Sequence, residues 1–271
     1  MAAGGTGDIA AEILATLDAG RQVEPLTARI GGFDSAAAYG VASALRDLRV
    51  ARGERAIGRK IGFTNRNIWA EYGVYEPIWG DVYDRTQHDI ATGTRIRVSH
   101  LPEPRIEPEI VLGLGRDVTS DMTLDDIAGA IDWVAHGFEI VQSIFPGWRF
   151  GVADCIADGG LHGALFVGPR RSVREGERPG LTAALAGLAV TLSRNGTAVD
   201  RGIGSNVLDG PIQALGHLAG VLAGDPLGPP LRKGELVTTG TVTRAFPVAP
   251  GEKWSTEIED FDLPGLAVEI A

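Results

Sequence analysis

The sequence predicts an α+β protein, with a helical amino-terminal region followed by a β-rich core whose sheet is rolled or barrel-like. Three observations carry that prediction. Apolar residues recur with helical spacing up to about Gly53. Beyond it, short apolar runs alternate with Gly, Pro and Asp, the texture of strands joined by turns. Helices in that second part are too few for a parallel βαβ succession.

The elements follow in order. Ile9, Ile13, Leu14 and Leu17 trace one face of a helix over Asp8–Ala19, with Asp8 as its cap. A second helix runs from Asp34 or Ser35 to Arg52, carrying Tyr39, Ala42 and Leu45, and Gly53 ends it. Strands are expected at Ala56–Gly62, Thr94–Val98, Glu107–Leu114, Phe138–Ser143, Gly163–Val167, Ala189–Arg194, Leu236–Thr239 and Trp254–Ile258. Two helices sit among them: Leu124–Ala135 after Thr123, and Pro211–Ala223, which opens on proline. The Pro/Gly/Arg-rich stretches Gly168–Gly180 and Gly224–Gly234 read as loops inserted between similar strands. The expected organisation is therefore a helical region over residues 1–53 and a core over 54–271, integrated as one domain.

Composition excludes several classes. At 271 residues, with 44% hydrophobic and 22% charged, the chain has the make-up of an ordinary globular protein. Lys plus Arg number 25 against 35 Asp plus Glu, and the formal charge of −10 opposes binding to nucleic acid. The single cysteine, Cys155, allows neither an intrachain disulfide nor a cysteine-cluster zinc site and fits a reducing compartment. No stretch reaches the ~20 apolar residues of a membrane span. Met1–Gly7 lacks a basic n-region and an apolar h-region, so a cytoplasmic protein is expected.

The chemistry concentrates in carboxylates. Glu107 and Glu109 lie in Arg105-Ile-Glu-Pro-Glu-Ile-Val-Leu, where the two-residue period of a strand points both to one face. Two like charges so placed share a proton, find basic partners or bind a cation. Glu139, in Gly137-Phe-Glu-Ile-Val, is a third acid within an apolar run. Oxygen donors without cysteine or paired histidines favour Mg2+ or Mn2+ over zinc or copper. The same spacing also fits solvated carboxylates on alternating strands.

Lys60, between glycines in Gly58-Arg-Lys-Ile-Gly, is the leading basic candidate for proton transfer or for holding an anion, with Arg59 and Arg66 competing. Asp81 follows Ile78-Trp-Gly, while Asp154 and Asp158 flank Cys155 in a loop that continues Gly159-Gly-Leu-His162. Loops of this composition line sites and also make ordinary turns. No nucleophile signature accompanies His162. Gly113-Leu-Gly-Arg-Asp-Val and Gly202-Ile-Gly-Ser-Asn-Val both lack the final glycine of a dinucleotide fingerprint.

The succession Lys60-Ile-Gly-Phe-Thr, Trp79-Gly-Asp, Glu107-Pro-Glu-Ile, Phe138-Glu-Ile-Val, Ala157-Asp-Gly, Gly204-Ser-Asn-Val-Leu and Gly234-Glu-Leu-Val-Thr-Thr-Gly-Thr resembles the 2-keto-4-pentenoate hydratase and 4-oxalocrotonate decarboxylase branch of the fumarylacetoacetate hydrolase superfamily. The resemblance runs from the first helix to about Thr256. It implies a helical amino-terminal part on a mixed, rolled β-sheet core. It also implies a Mg2+ or Mn2+ held by Glu107, Glu109 and Glu139, catalytic roles for Lys60 and Asp81, and oligomers of identical chains. Asp158, Gly159, His162, Ser205 and Thr241 fall on the segments that would face substrate. The implied activity is a metal-dependent lyase acting on a small unsaturated 2-oxo acid, a hydratase or else a decarboxylase. A diverged ligand-binding or assembly protein is the alternative of another class. Departures fall at Gly159, where the family pattern reads Ala-Asp-Asn, at Leu208-Asp-Gly-Pro, and at Leu263-Pro-Gly in place of a Gly-Ser turn.

Overall fold

The computed structural model describes residues 5–66, 69–72 and 75–271. The first residues of the Met1–Gly7 segment therefore lie outside the described residues. Helix α1 (Thr6–Asp18) buries Ile9, Ala10 and Ile13. After the short α2 (Leu26–Arg29), α3 (Ser35–Ala51) is capped by Asp34, whose Oδ1 accepts from Ala37 N at 2.9 Å, and buries Ala38, Val41 and Leu45. These apolar faces join one cluster with Ile78, Ile144, Phe145 and Ala157, so the helical region packs onto the strands that follow it.

Strand β1 (Ala56–Gly62) leads through α4 (Trp69–Tyr72) to β2 (Ile78–Tyr83), β3 (Gln87–Asp89), β4 (Thr94–Ile96) and the long β5 (Arg105–Leu114). Then come α5 (Leu124–Gly129), β6 (Ile131–Val141), α6 (Val152–Ala157), β7 (His162–Val167), β8 (Arg171–Ser172) and α7 (Arg178–Gly187). The chain closes with β9 (Ala189–Arg194), β10 (Thr197–Ile203), α8 (Pro211–Gly224), β11 (Leu236–Thr241), β12 (Phe246–Pro247), β13 (Lys253–Glu259) and β14 (Ala267–Ile270). One sheet runs β2-β1-β11-β5-β6-β7-β3, with β12 beside β5 and β8 beside β6; a second runs β10-β9-β13-β14-β4. The sheets are mixed and curled. β1 pairs with β11, β3 with β7 and β4 with β14 in parallel, and the remaining pairs are antiparallel. No helix among the described residues is long and apolar enough to cross a membrane.

Three expectations need correction. The helix expected over Leu124–Ala135 stops at Gly129, and Ile131 begins β6. Leu124, Ile127, Ile131, Val134 and Ala135 mimic helical spacing, but Trp133, Val134 and Ala135 pair with Gly113, Leu112 and Val111, and the ladder overrides local periodicity. The Asp154–Asp158 loop is largely helical: α6 carries Asp154, whose side chain accepts from Thr27 N and Oγ1. The Gly168–Gly180 loop contains β8 and the first turn of α7.

A histidine ties the two sheets together. His136, buried on β6, donates from Nδ1 to the Glu109 carbonyl at 2.9 Å, so its Nε2 accepts from Thr256 Oγ1 of β13 at 2.8 Å. Burial pushes its imidazole down to about 4. Between the unfolded value of 6.5 and that value the unfolded chain binds more protons, so this contribution is complete above pH 6.5 and lost as pH falls toward 4. Replacing His136 by Gln removes that dependence. The stability advantage of the parent over the variant, measured by urea unfolding, is expected to shrink between pH 7 and pH 4.5 by on the order of 2 kcal/mol. A difference that stays constant with pH would refute the assignment.

Candidate active site

Strand geometry assembles the acidic cluster. Glu107 and Glu109 share a face of β5, and the β5–β6 register sets Glu139 directly across from Glu107. One oxygen from each of the three lies within 4.8 Å of the others. Lys60 reaches the cluster from β1, with Nζ 3.1 Å from Glu139 Oε2 and donating to the Gly160 carbonyl at 2.9 Å. Glu109 and Glu139 have no exposed surface, whereas Glu107 keeps part of its surface open to a cavity of about 620 Å3.

Each carboxylate is oriented by its neighbours. Glu109 Oε2 accepts from Thr238 Oγ1 and from Gly240 N, the latter at 2.8 Å, while its Oε1 has no hydrogen-bond partner. A register shift in β11 between Thr238 and Thr241 turns the Gly240 amide inward. Gly240 has φ +99°, and a Cβ there would stand 2.0 Å from Thr64 Oγ1, so glycine is required. Glu139 Oε1 takes a 2.7 Å bond from His162 Nδ1, and its Oε2 is likewise without a hydrogen bond. Gly160, at φ +78°, bends the chain so that its carbonyl meets Lys60.

Burial and like charge dominate the electrostatics. Burial raises Glu107 and Glu109 above the usual carboxylate range, with Glu139 adding to the effect and Lys60 opposing it. Burial would also raise Glu139, but Lys60 and the His162 bond outweigh it and hold that carboxyl low. Lys60 is the mirror case. Burial disfavours its charge, yet Glu139, Glu107 and Glu109 prevail and keep it an ammonium.

The remaining candidates separate. Thr241 lines the cavity, its hydroxyl donating to the Thr243 carbonyl at 3.0 Å. Beside Ser205, it is Asn206 that lines the cavity, held by a 3.0 Å bond to the Val242 carbonyl. Asp81 is not brought to the cavity. It pairs across the strands with Arg59, on the face of β1 opposite Lys60, where Arg46 Nε stands 2.6 Å and Arg59 Nη1 3.2 Å from its oxygens. Arg66 turns outward to Asp209 at 2.8 Å, so of the three basic candidates only Lys60 enters the site.

Asp158, Gly159 and His162 sit behind the triad, around a second cavity of about 20 Å3 that also touches Asp81. Asp158 Oδ1 accepts from Leu161 N at 2.8 Å, and burial pushes its carboxyl up to about 8. Sequence reasoning missed Arg105 and Trp148, whose guanidinium and ring stack at 3.9 Å on the cavity wall. Arg105 precedes Glu107 by two residues, so the period that paired the glutamates already placed it on their face. Thr238 and Asn206 carried no comparable signal.

Comparison with known proteins gives the chain its relatives. A 2-hydroxyhexa-2,4-dienoate hydratase of Comamonas testosteroni is 30% identical over 90% of this chain and 89% of its own. A 2-keto-4-pentenoate hydratase of Paraburkholderia xenovorans is 32% identical over 96% and 97%. Among solved structures, the 4-oxalocrotonate decarboxylase of Pseudomonas putida G7, complexed with magnesium and adipate, superposes with a TM-score of 0.89 at 26% identity, covering 98% of this chain and 97% of that one. The fumarylpyruvate hydrolase of Pseudomonas aeruginosa, in complex with Mn2+ and pyruvate, shares the fold at a TM-score of 0.57 and 16% identity, over 79% of this chain and 88% of its own. The model of the fumarylacetoacetate (FAA) hydrolase C-terminal family matches residues 82–266, and the chain belongs to that family.

Proposed function

We propose that this protein is a metal-dependent lyase that hydrates a short 2-hydroxydienoic acid of the 2-keto-4-pentenoate type. The observation that carries the reading is the convergence of Glu107, Glu109 and Glu139 with Lys60 at one cavity, whose wall Glu107 and Lys60 form while Glu109 and Glu139 stand buried behind them. The donor set fits a divalent cation. One ammonium offsets one of three carboxylates, and Glu109 Oε1 and Glu139 Oε2 are buried without a hydrogen bond. Oxygen donors alone suit Mg2+ or Mn2+. Bound there, such a cation supplies a Lewis acid for the carboxylate and 2-oxo oxygens of the substrate.

The chain's own groups do the rest. Lys60 Nζ holds a proton beside the substrate anion; it would deliver that proton to C5 as the enol becomes the ketone and be reprotonated by the proton the enol hydroxyl gives up. Thr241 and Asn206 offer hydrogen bonds across the cavity, while Ile61, Phe63 and Phe150 wall it with apolar surface. Water then adds across the remaining double bond, its hydroxyl going to C4 and its proton to C3. The helical region 1–53 works with the core 54–271 as one integrated domain, a reading supported by the apolar cluster the two share. We further propose a homo-oligomer, which light scattering tests.

A second reading, decarboxylation of a 4-oxalocrotonate-type diacid, is favoured by Arg105, a cation on the Glu107 face suited to a distal carboxylate. The resemblance to the decarboxylase structure supports it too. Incubating Mg2+-loaded protein with 2-hydroxypenta-2,4-dienoate should bleach the dienol absorbance and yield 4-hydroxy-2-oxopentanoate. Carbon dioxide release from 4-oxalocrotonate instead would select the second reading, and inertness toward both would reject the pair.

A further inference from the structure

We infer that His162, itself held by Thr86, is a positioning residue for the cation site: it turns Glu139 so that Oε2, and not Oε1, faces the triad and Lys60. The inference rests on the reading that Glu107, Glu109 and Glu139 hold a divalent cation. It concerns a residue that the sequence placed among the substrate contacts.

The geometry runs outward from Glu139. Its Oε1 accepts from His162 Nδ1 at 2.7 Å and its Oε2 stands 3.1 Å from Lys60 Nζ, so the two oxygens face different groups. The other ring nitrogen, Nε2, lies 2.8 Å from Thr86 Oγ1. That oxygen already accepts from Tyr83 N at 3.2 Å. The hydroxyl also lies 3.2 Å from the Tyr83 carbonyl, but the Glu139 carboxylate can only accept, so the ring's own proton stands on Nδ1 and Nε2 takes the shorter bond from the Thr86 hydroxyl. Thr86 is anchored in turn, because Leu165 N of β7 donates to its carbonyl at 2.8 Å. His162 has 3% of its side chain exposed and borders the small rear cavity, not the large one, so it acts through Glu139 and not on substrate.

Without the Nδ1 donor, Oε1 loses its partner and the carboxylate can rotate to present both oxygens to Lys60. Outer-shell partners of this kind set ligand orientation, and losing one costs about 10–100-fold in metal affinity. The test is Mn2+ binding by calorimetry to the chelator-stripped whole protein without substrate, alongside its thermal midpoint. His162→Phe should weaken Mn2+ binding about 10–100-fold. His162→Gln, which keeps an N–H donor, should recover most of that loss. Thr86→Val should give a smaller loss that disappears in the His162→Phe background, because the two act in one chain.

A merely structural histidine predicts otherwise: both His162 variants would lower the thermal midpoint and leave Mn2+ affinity at the parental value. That result overturns the inference, and so does parental affinity in Thr86→Val, which serves as the decisive variant should His162→Phe fail to fold. A parent protein that binds no Mn2+ removes the cation reading itself and this inference with it. A parent that binds, with variants that match it, rejects the inference alone.

Discussion

Glu109→Gln is expected to weaken Mg2+ and Mn2+ binding while making the cation-free protein more stable, and the opposite signs are the point of the experiment. Gly240 N–H can only donate, so the amide oxygen of a glutamine must take the place of Oε2 beside it and Thr238. Its NH2 then points at Glu107 and Glu139, where it repels a cation but donates to the carboxylates. Cation affinity should fall by at least about a hundredfold, the upper end of what losing an outer-shell partner costs. Stability without cation should rise by about 1 kcal/mol or more, because an acid whose ionisation is disfavoured by burial and by Glu139 and Glu107 has gone. For a chain of this size that moves the thermal midpoint by roughly 2–4 °C. Calorimetry and thermal melts in chelator read the two effects, and unchanged cation affinity would remove Glu109 from the site.

Lys60→Met should do the reverse. Glu139 then loses its buried counter-ion, and breaking such a pair by deleting one partner costs about 3–5 kcal/mol. The cation-free variant should melt early and be rescued by Mn2+, which takes over the neutralising role with at least parental affinity. Turnover should not be rescued. With the ammonium that holds the proton gone, it should drop by about a thousandfold at saturating cation. Rescue of both stability and turnover would mean that Lys60 only balances charge. Weaker Mn2+ binding in this variant would mean that Lys60, 3.1 Å from Glu139 Oε2, does not compete with the cation for that oxygen.

Legible in the sequence was what depends on near neighbours. The Glu107–Glu109 pairing follows from the strand period, and the helices over 6–18, 35–51 and 211–224 follow from apolar spacing and from Asp34, Gly53 and Pro211 at their ends. Glu139 stood out as a third acid in an apolar run, but only the resemblance set it beside the pair, because its position opposite Glu107 is a matter of register between strands that no spacing encodes. The same limit explains β6, whose first residues carry helical spacing and are recruited by β5. It also explains Asp81, which looks poised beside Lys60 until β1–β2 pairing shows it facing Arg59. Strands β2, β3, β10 and β14 escaped notice, β3 and β14 being short and β10 mostly exposed, with little apolar alternation. His162 was visible as a residue but not as a role, since its role depends on Thr86 and Glu139, each brought to it by a different strand or turn.

The parallel registry that sets Lys60 beside Thr238 has a consequence for how the protein folds. Apart from Glu107 and Glu109, no two members of the cluster are near in the chain, and the clamp on Glu109 arrives only with β11, close to the end. Closing such distant contacts is entropically costly and slow, so the cluster belongs to the later stages of folding. An unfolded chain offers a cation only scattered carboxylates. A cation held there would therefore act as a latch on a structure already made, lengthening the lifetime of the folded state without hastening its formation.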